Sequence, residues 1–143
     1  MSHTAEIVRQ ARKENLGDLL GFVQSECARA SLPDDVAFAV RLATEEACTN
    51  VITHGYANLE PGPLAVQFEA DDARVVITVQ DQGAAYDPSA ITAPDITEAA
   101  ETRALGGLGW HFIRSVMDEV THQHSSERGN RLTLVKHLPT KAE

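Results

Sequence analysis

Three short stretches of the chain carry residue types that could do chemistry. In ATEEACTNVITHGY, residues 43–56, Glu46, Asn50 and His54 recur four residues apart. On an α-helix that spacing stacks them one turn apart along a single ridge. A carboxylate there can serve as a base, and an amide oxygen one turn on can ligate Mg²⁺, which accepts oxygen donors and keeps several waters. A solvated helix face shows the same pattern, but here the opposite stripe is apolar and charge thins out after Glu46. Glu45 points about 100° away round the helix and takes no role.

The second stretch, Asp81-Gln82-Gly83, directly follows an alternating run ending at Gln80. A carboxylate at a strand end suits an exocyclic amine, and a glycine lets backbone approach a ring, although Asp-x-Gly is also an ordinary turn. The third is Gly106-Gly107-Leu108-Gly109 at the start of a helical pattern. Free backbone N–H groups at a helix start form an anion site where glycine gives access. No Gly-Lys-Ser/Thr follows and no strand precedes, so this is neither a P-loop nor a dinucleotide fingerprint.

These stretches need elements to hold them. Residues 4–11 form a short first strand. Leu16, Leu19, Leu20, Val23 and Cys27 mark a first helix with Asn15 placed to cap it. A second helix opens at Pro33, with Asp34 and Asp35 at its positive end, carries Val36, Val40, Ala43, Ala47 and Val51, and ends near Gly55. After Pro61-Gly62-Pro63 the period becomes two: Leu64, Val66 and Phe68, then Val75, Ile77 and Val79, with a turn at Asp71-Asp72. Residues 84–105 are a long connection with weak periodicity, a type usually functional or mobile. A third helix carries Phe112, Ile113 and Val116, and strands follow near 119–126 and from Leu132 to His137, joined by a turn at Gly129-Asn130. The expected fold is α+β: one domain over 1–143, a two-layer sandwich with a mixed, mostly antiparallel sheet and helices on one face.

Composition narrows the function. The chain has 143 residues, 43% hydrophobic and 23% charged, which is ordinary globular usage. Its 21 acids against 12 bases give a net charge of −9 without any Lys/Arg cluster, which argues against nucleic acid or an anionic membrane surface as partner. There is no apolar leader or membrane-length apolar run, so a cytoplasmic protein is expected. Cys27 and Cys48 read as buried thiols rather than a disulfide framework. His122 and His124 share one face of a predicted strand with no evident third metal ligand.

Helix-borne Glu-x-x-x-Asn, strand-end Asp-x-Gly, a long loop and then Gly-x-Gly on a helix, in this order, resemble the histidine-kinase-like ATPase superfamily. EEACTNVITHGY together with GGLGWHFIRSVMDEV looks like its single-domain bacterial anti-sigma-factor serine/threonine kinases, over nearly the whole chain. The resemblance implies a Bergerat-type ATPase fold with ATP or ADP and Mg²⁺ bound. It implies Glu46 as general base, Asn50 as metal ligand and nucleotide contact, Asp81 accepting from the adenine amine and Gly83 packing near the ring. Gly107 and Gly109, with Leu108 between them, would cradle phosphates, and 84–105 would be the nucleotide lid. It implies a sigma factor and a STAS-type anti-sigma-factor antagonist as partners, and allows a homodimer. Two departures stand out: Ala85 occupies a position often held by glycine, and Asn130 follows Gly129 where threonine is frequent. A nucleotide-binding module that sequesters a partner without phosphoryl transfer is the alternative.

Overall fold

The computed structural model describes residues 2–56, 59–84 and 107–139, except for the side chains of residues 107–111. Apart from Ala84, the expected lid at 84–105, with Ala85, lies outside the described residues, as does Gly106. The first strand, β1 (His3–Gln10), is followed by a single 3₁₀ turn and by α1 (Leu16–Arg29) and α2 (Asp34–Asn50), which continues into a π-helical turn at Val51–Gly55. Then come β2 (Pro63–Ala70), β3 (Arg74–Asp81), α3 (Gly107–Val116), β4 (Glu119–Ser125) and β5 (Gly129–His137).

The hairpin follows the period-two pattern. Leu64, Val66, Phe68 and Ala70 of β2 and Val75, Ile77 and Val79 of β3 are buried, while the residues between them lie on the other sheet face, where only Thr78 is also buried. Its turn is fixed by Asp71, whose Oδ1 accepts from the N–H groups of Ala73 and Arg74 at 2.8 and 3.0 Å. Those two hydrogen bonds hold the Asp71 carboxyl below its ordinary range. The five strands lie in the order β1-β2-β3-β5-β4, and every pairing is antiparallel. The mostly antiparallel sheet expected from short connections is thus antiparallel throughout the described residues.

The helices cover one sheet face. Leu19 and Val23 of α1, Val40, Ala43 and Cys48 of α2 and Ile113 of α3 join the inward side chains of β2, β3 and β5 in one core. Burial pushes the Cys48 thiol up to about 12, and burial with the Glu26 charge pushes Cys27 up to about 11. Glu26, buried on α1, is satisfied by His3 of the edge strand, Nε2 to Oε1 at 2.5 Å. None of the helices among the described residues is long and apolar enough to cross a membrane.

Three local expectations are corrected. Asn15 does not cap α1: a 3₁₀ turn at Lys13–Asn15 runs straight into the helix, Asn15 has helical φ and ψ, and its Nδ2 donates instead to the Gln10 carbonyl at 2.9 Å. The last turn is not at Gly129-Asn130. It precedes them, closed by the Arg128 N–H donating to Ser125 Oγ at 2.9 Å, and Gly129 already opens β5 at φ +73°. The reason is contact with β3: a Cβ at Gly129 would lie 2.1 Å from the Asp81 carbonyl oxygen, so the strands meet there only through glycine. Pro33 sits one residue before α2 rather than inside it, and the helix ends in the π turn at Gly55 as the sequence indicates.

Candidate functional site

α2, which carries Glu46 and Asn50, continues through its π turn to meet the end of β3, which carries Asp81. α2 buries Ala43, Thr44, Ala47 and Cys48, which leaves Glu46 and Asn50 half-buried on the adjoining ridge, one turn apart. Burial raises the Glu46 pKa, and the neighbouring Glu45 charge raises it further. Such a shift makes the carboxylate a better proton acceptor once it is ionised. Asn50 Nδ2 is a buried donor with no hydrogen-bond partner among the described residues. An unpaired buried amide is costly, and it is the kind of exception that function explains.

The ridge stops there. From Val51 the chain winds into the wider π turn, so four-residue spacing no longer stacks side chains, and His54 is exposed. The turn brings Gly55 against the residues that follow β3, where the Ala84 N–H donates to the Gly55 carbonyl at 2.9 Å. A Cβ on Gly83 would fall 2.1 Å from that same oxygen. Gly83 is therefore required by backbone crossing backbone, whether or not a ring packs on it. Tyr56 completes the clamp: its hydroxyl accepts from the Gln82 N–H at 2.7 Å and donates to the Pro63 carbonyl at 2.8 Å.

Asp81, at the end of β3, is 1% exposed and points into this junction. Its Oδ1 accepts from the Gly83 N–H at 2.8 Å and from Asn130 Nδ2 at 3.1 Å. Asn130 is wholly buried and sits opposite Asp81 in the β3–β5 register. Its Nδ2 also reaches the Ala84 carbonyl at 2.9 Å, and its Oδ1 lies 3.1 Å from His122 Nε2 and 3.3 Å from His124 Nδ1. The two histidines share a face, as the strand period requires, and both turn toward the Asn130 carboxamide. Sequence reasoning assigned no role to Asn130 or Tyr56. The one available signal was the asparagine standing directly after the last-turn glycine.

Gly107, Leu108 and Gly109 form the first turn of α3, which packs against α2. The first N–H groups of a helix have no intrahelical acceptor, so this end presents donors and positive potential. The junction thus offers a buried carboxylate for an amine and, along α2, a carboxylate and an amide one turn apart, while the glycine-rich start of α3 belongs to a helix packed on α2. Among the described residues no three of His, Cys, Asp and Glu cluster as a metal cage. The unpaired Nδ2 of Asn50, a donor, calls for an acceptor such as a phosphate or water oxygen, and a hard cation held by the Asn50 amide oxygen, substrate phosphates and water fits beside it.

Comparison with known proteins places the chain in a family. Residues 9–136 match the histidine kinase-like ATPase domain. The chain is 30% identical over 139 residues to the serine-protein kinase RsbW of Halalkalibacterium halodurans, covering 94% of this chain and 83% of that one. It is 28% identical over 106 residues to the anti-sigma F factor of Bacillus licheniformis, covering 69% and 68%. It is 27% identical over 100 residues to the serine/threonine-protein kinase BtrW of Bordetella bronchiseptica, covering 70% of each. With a family match over most of its length, and relatives named both as serine kinases and as an anti-sigma factor, the chain belongs to the histidine kinase-like ATPase family, within its group of anti-sigma-factor serine/threonine kinases.

Proposed function

We propose that the protein is an ATP-dependent serine/threonine kinase that holds a sigma factor and phosphorylates an anti-sigma-factor antagonist of STAS type, exchanging one partner for the other. The observation that carries this reading is the junction itself: Glu46 and Asn50 stand one turn apart on α2, and the chain beyond them is tied at Gly55 to the residues beyond Asp81.

In this reading Asp81 accepts from the exocyclic amine of adenine, and the first-turn amides of Gly107, Leu108 and Gly109 hold phosphate oxygens. Asn50 offers its amide oxygen to Mg²⁺, which when bound would neutralise phosphate charge. Glu46 orients the substrate hydroxyl and takes its proton. The hydroxyl oxygen attacks the γ-phosphorus, the bond to the bridging oxygen breaks, and ADP leaves. Phosphoryl transfer asks mainly for alignment and charge neutralisation, which suits a site with few cations of its own. Residues 84–105 serve as the lid. The protein works in the cytoplasm, and a homodimer is compatible with the reading.

The test is incubation with γ-labelled ATP and a candidate antagonist. Label on the antagonist that is lost with Glu46→Gln, while ATP binding persists, supports the kinase. Nucleotide binding and partner capture without label would replace it with a sequestering module.

A further inference from the structure

Asp81 and the carbonyls of Gly83 and Ala84 can only accept hydrogen bonds. The –NH₂ end of the Asn130 carboxamide must therefore face them, at 3.1, 3.4 and 2.9 Å respectively. Its oxygen then faces the two imidazoles of β4, and each ring must present an N–H: Nε2–H from His122 and Nδ1–H from His124. In this frame the carboxamide cannot reverse without setting its oxygen against a buried carboxylate. Asn130 in turn fixes Asp81, because Oδ1 is held from two sides, by Asn130 and by the Gly83 N–H. A carboxylate whose one oxygen is held in this way has a fixed plane, and its other oxygen accepts from one direction.

We infer that Asn130 is a positioning residue for base recognition, with His122 and His124 as the donors that set its orientation. This rests on the reading of Asp81 as acceptor for the exocyclic amine of the base. The chain of control runs from the edge strand through a buried amide to the carboxylate. Through the Ala84 carbonyl the same amide anchors the backbone at the start of the 84–105 segment.

Calorimetry on the full chain, with ATP and with purine riboside triphosphate, which lacks the 6-amino group, reads the effect. Wild type is expected to favour ATP by about tenfold or more, the scale of one hydrogen bond to a charged group. Asn130→Leu is expected to bring the two affinities within about threefold, chiefly by weakening ATP, whereas a purely structural role would weaken both alike. Should Asn130→Leu not fold, the double variant His122→Leu with His124→Leu, at half-buried and exposed positions of the edge strand, is expected to reduce the ratio in the same sense. Long-range ¹H–¹⁵N correlation should find the two tautomers named above.

A folded variant of either kind that keeps the wild-type ratio, or the opposite tautomer at either ring, overturns this inference and leaves the role of Asp81 intact. A wild type that binds both nucleotides equally, or neither, overturns the role of Asp81 and the inference with it.

Discussion

A side-chain carbon placed on Gly83 would lie 2.1 Å from the carbonyl oxygen of Gly55, well inside any tolerable contact. The obstacle is backbone, so no side chain can move away to make room. Gly83→Ala must push β3 and the end of α2 apart, at a cost of about 1–3 kcal/mol or more, and should lower nucleotide affinity together with thermal stability. Gly17 and Gly21 of α1 are the internal control, since nothing lies within 4 Å of a Cβ added at either. Gly17→Ala and Gly21→Ala should each stabilise by about 0.5–1 kcal/mol. Denaturant unfolding of the three variants checks both signs, and a neutral Gly83→Ala would refute the crossing as described.

Glu46 is predicted to work against the stability of its own fold. Its folded pKa is raised by burial and by Glu45, so the folded state disfavours the ionised form. That penalty is absent below the ordinary glutamate range and complete once pH exceeds the raised value. Glu46→Gln should therefore raise the Tm at pH 7, with the gain vanishing on acidification through the ordinary range. A melting series across pH decides it, and a lower Tm at neutral pH would contradict the assignment.

Asn50 offers a complementary check. Because its Nδ2 is already unpaired, Asn50→Leu removes a desolvation cost without breaking a hydrogen bond among the described residues. The variant should unfold at the same or a higher denaturant concentration, yet bind ATP equally with and without Mg²⁺. Wild-type Mg²⁺ dependence in the variant would remove the metal role.

The thiols give a prediction independent of nucleotide. With Cys48 pushed up to about 12 and Cys27 up to about 11, neither forms appreciable thiolate at pH 8 in the folded chain. A disulfide reagent should label neither cysteine in native protein and both in denaturant. Fast native labelling of Cys48 would mean that α2 opens locally.

Sequence pattern revealed those parts of the molecule governed by short-range periodicity. The β2–β3 hairpin was legible because Leu64, Val66, Phe68, Val75, Ile77 and Val79 alternate, and the Glu46–Asn50 ridge because α2 keeps a helical stripe. What stayed hidden depends on contacts across the fold. The Asn130–Asp81 bond spans 49 residues, so neither residue announces the other. The last turn was misplaced because Gly129-Asn130 has ideal turn composition, while the glycine is needed for the approach to the Asp81 backbone. Asn15 stands directly before α1 with capping chemistry, but the 3₁₀ turn gives it helical φ and ψ and its side chain bonds the Gln10 carbonyl instead. The widening of α2 at Val51–Gly55 left no mark that a 3.6-residue period could register, and it is what ends the ridge before His54.

The strand order also bears on how the molecule is made. β5 lies between β3 and β4, paired with both along nearly its whole length. A nascent chain on the ribosome can therefore close its first hairpin early, but it cannot join the two halves of the sheet until the residues around Leu132 and Leu134 have been synthesised. Up to that moment the inner edge of β3 is an unpaired template. The buried Asp81–Asn130 contact comes into being in the same step that removes this hazard, so order around Asp81 and protection from edge-to-edge association arise together.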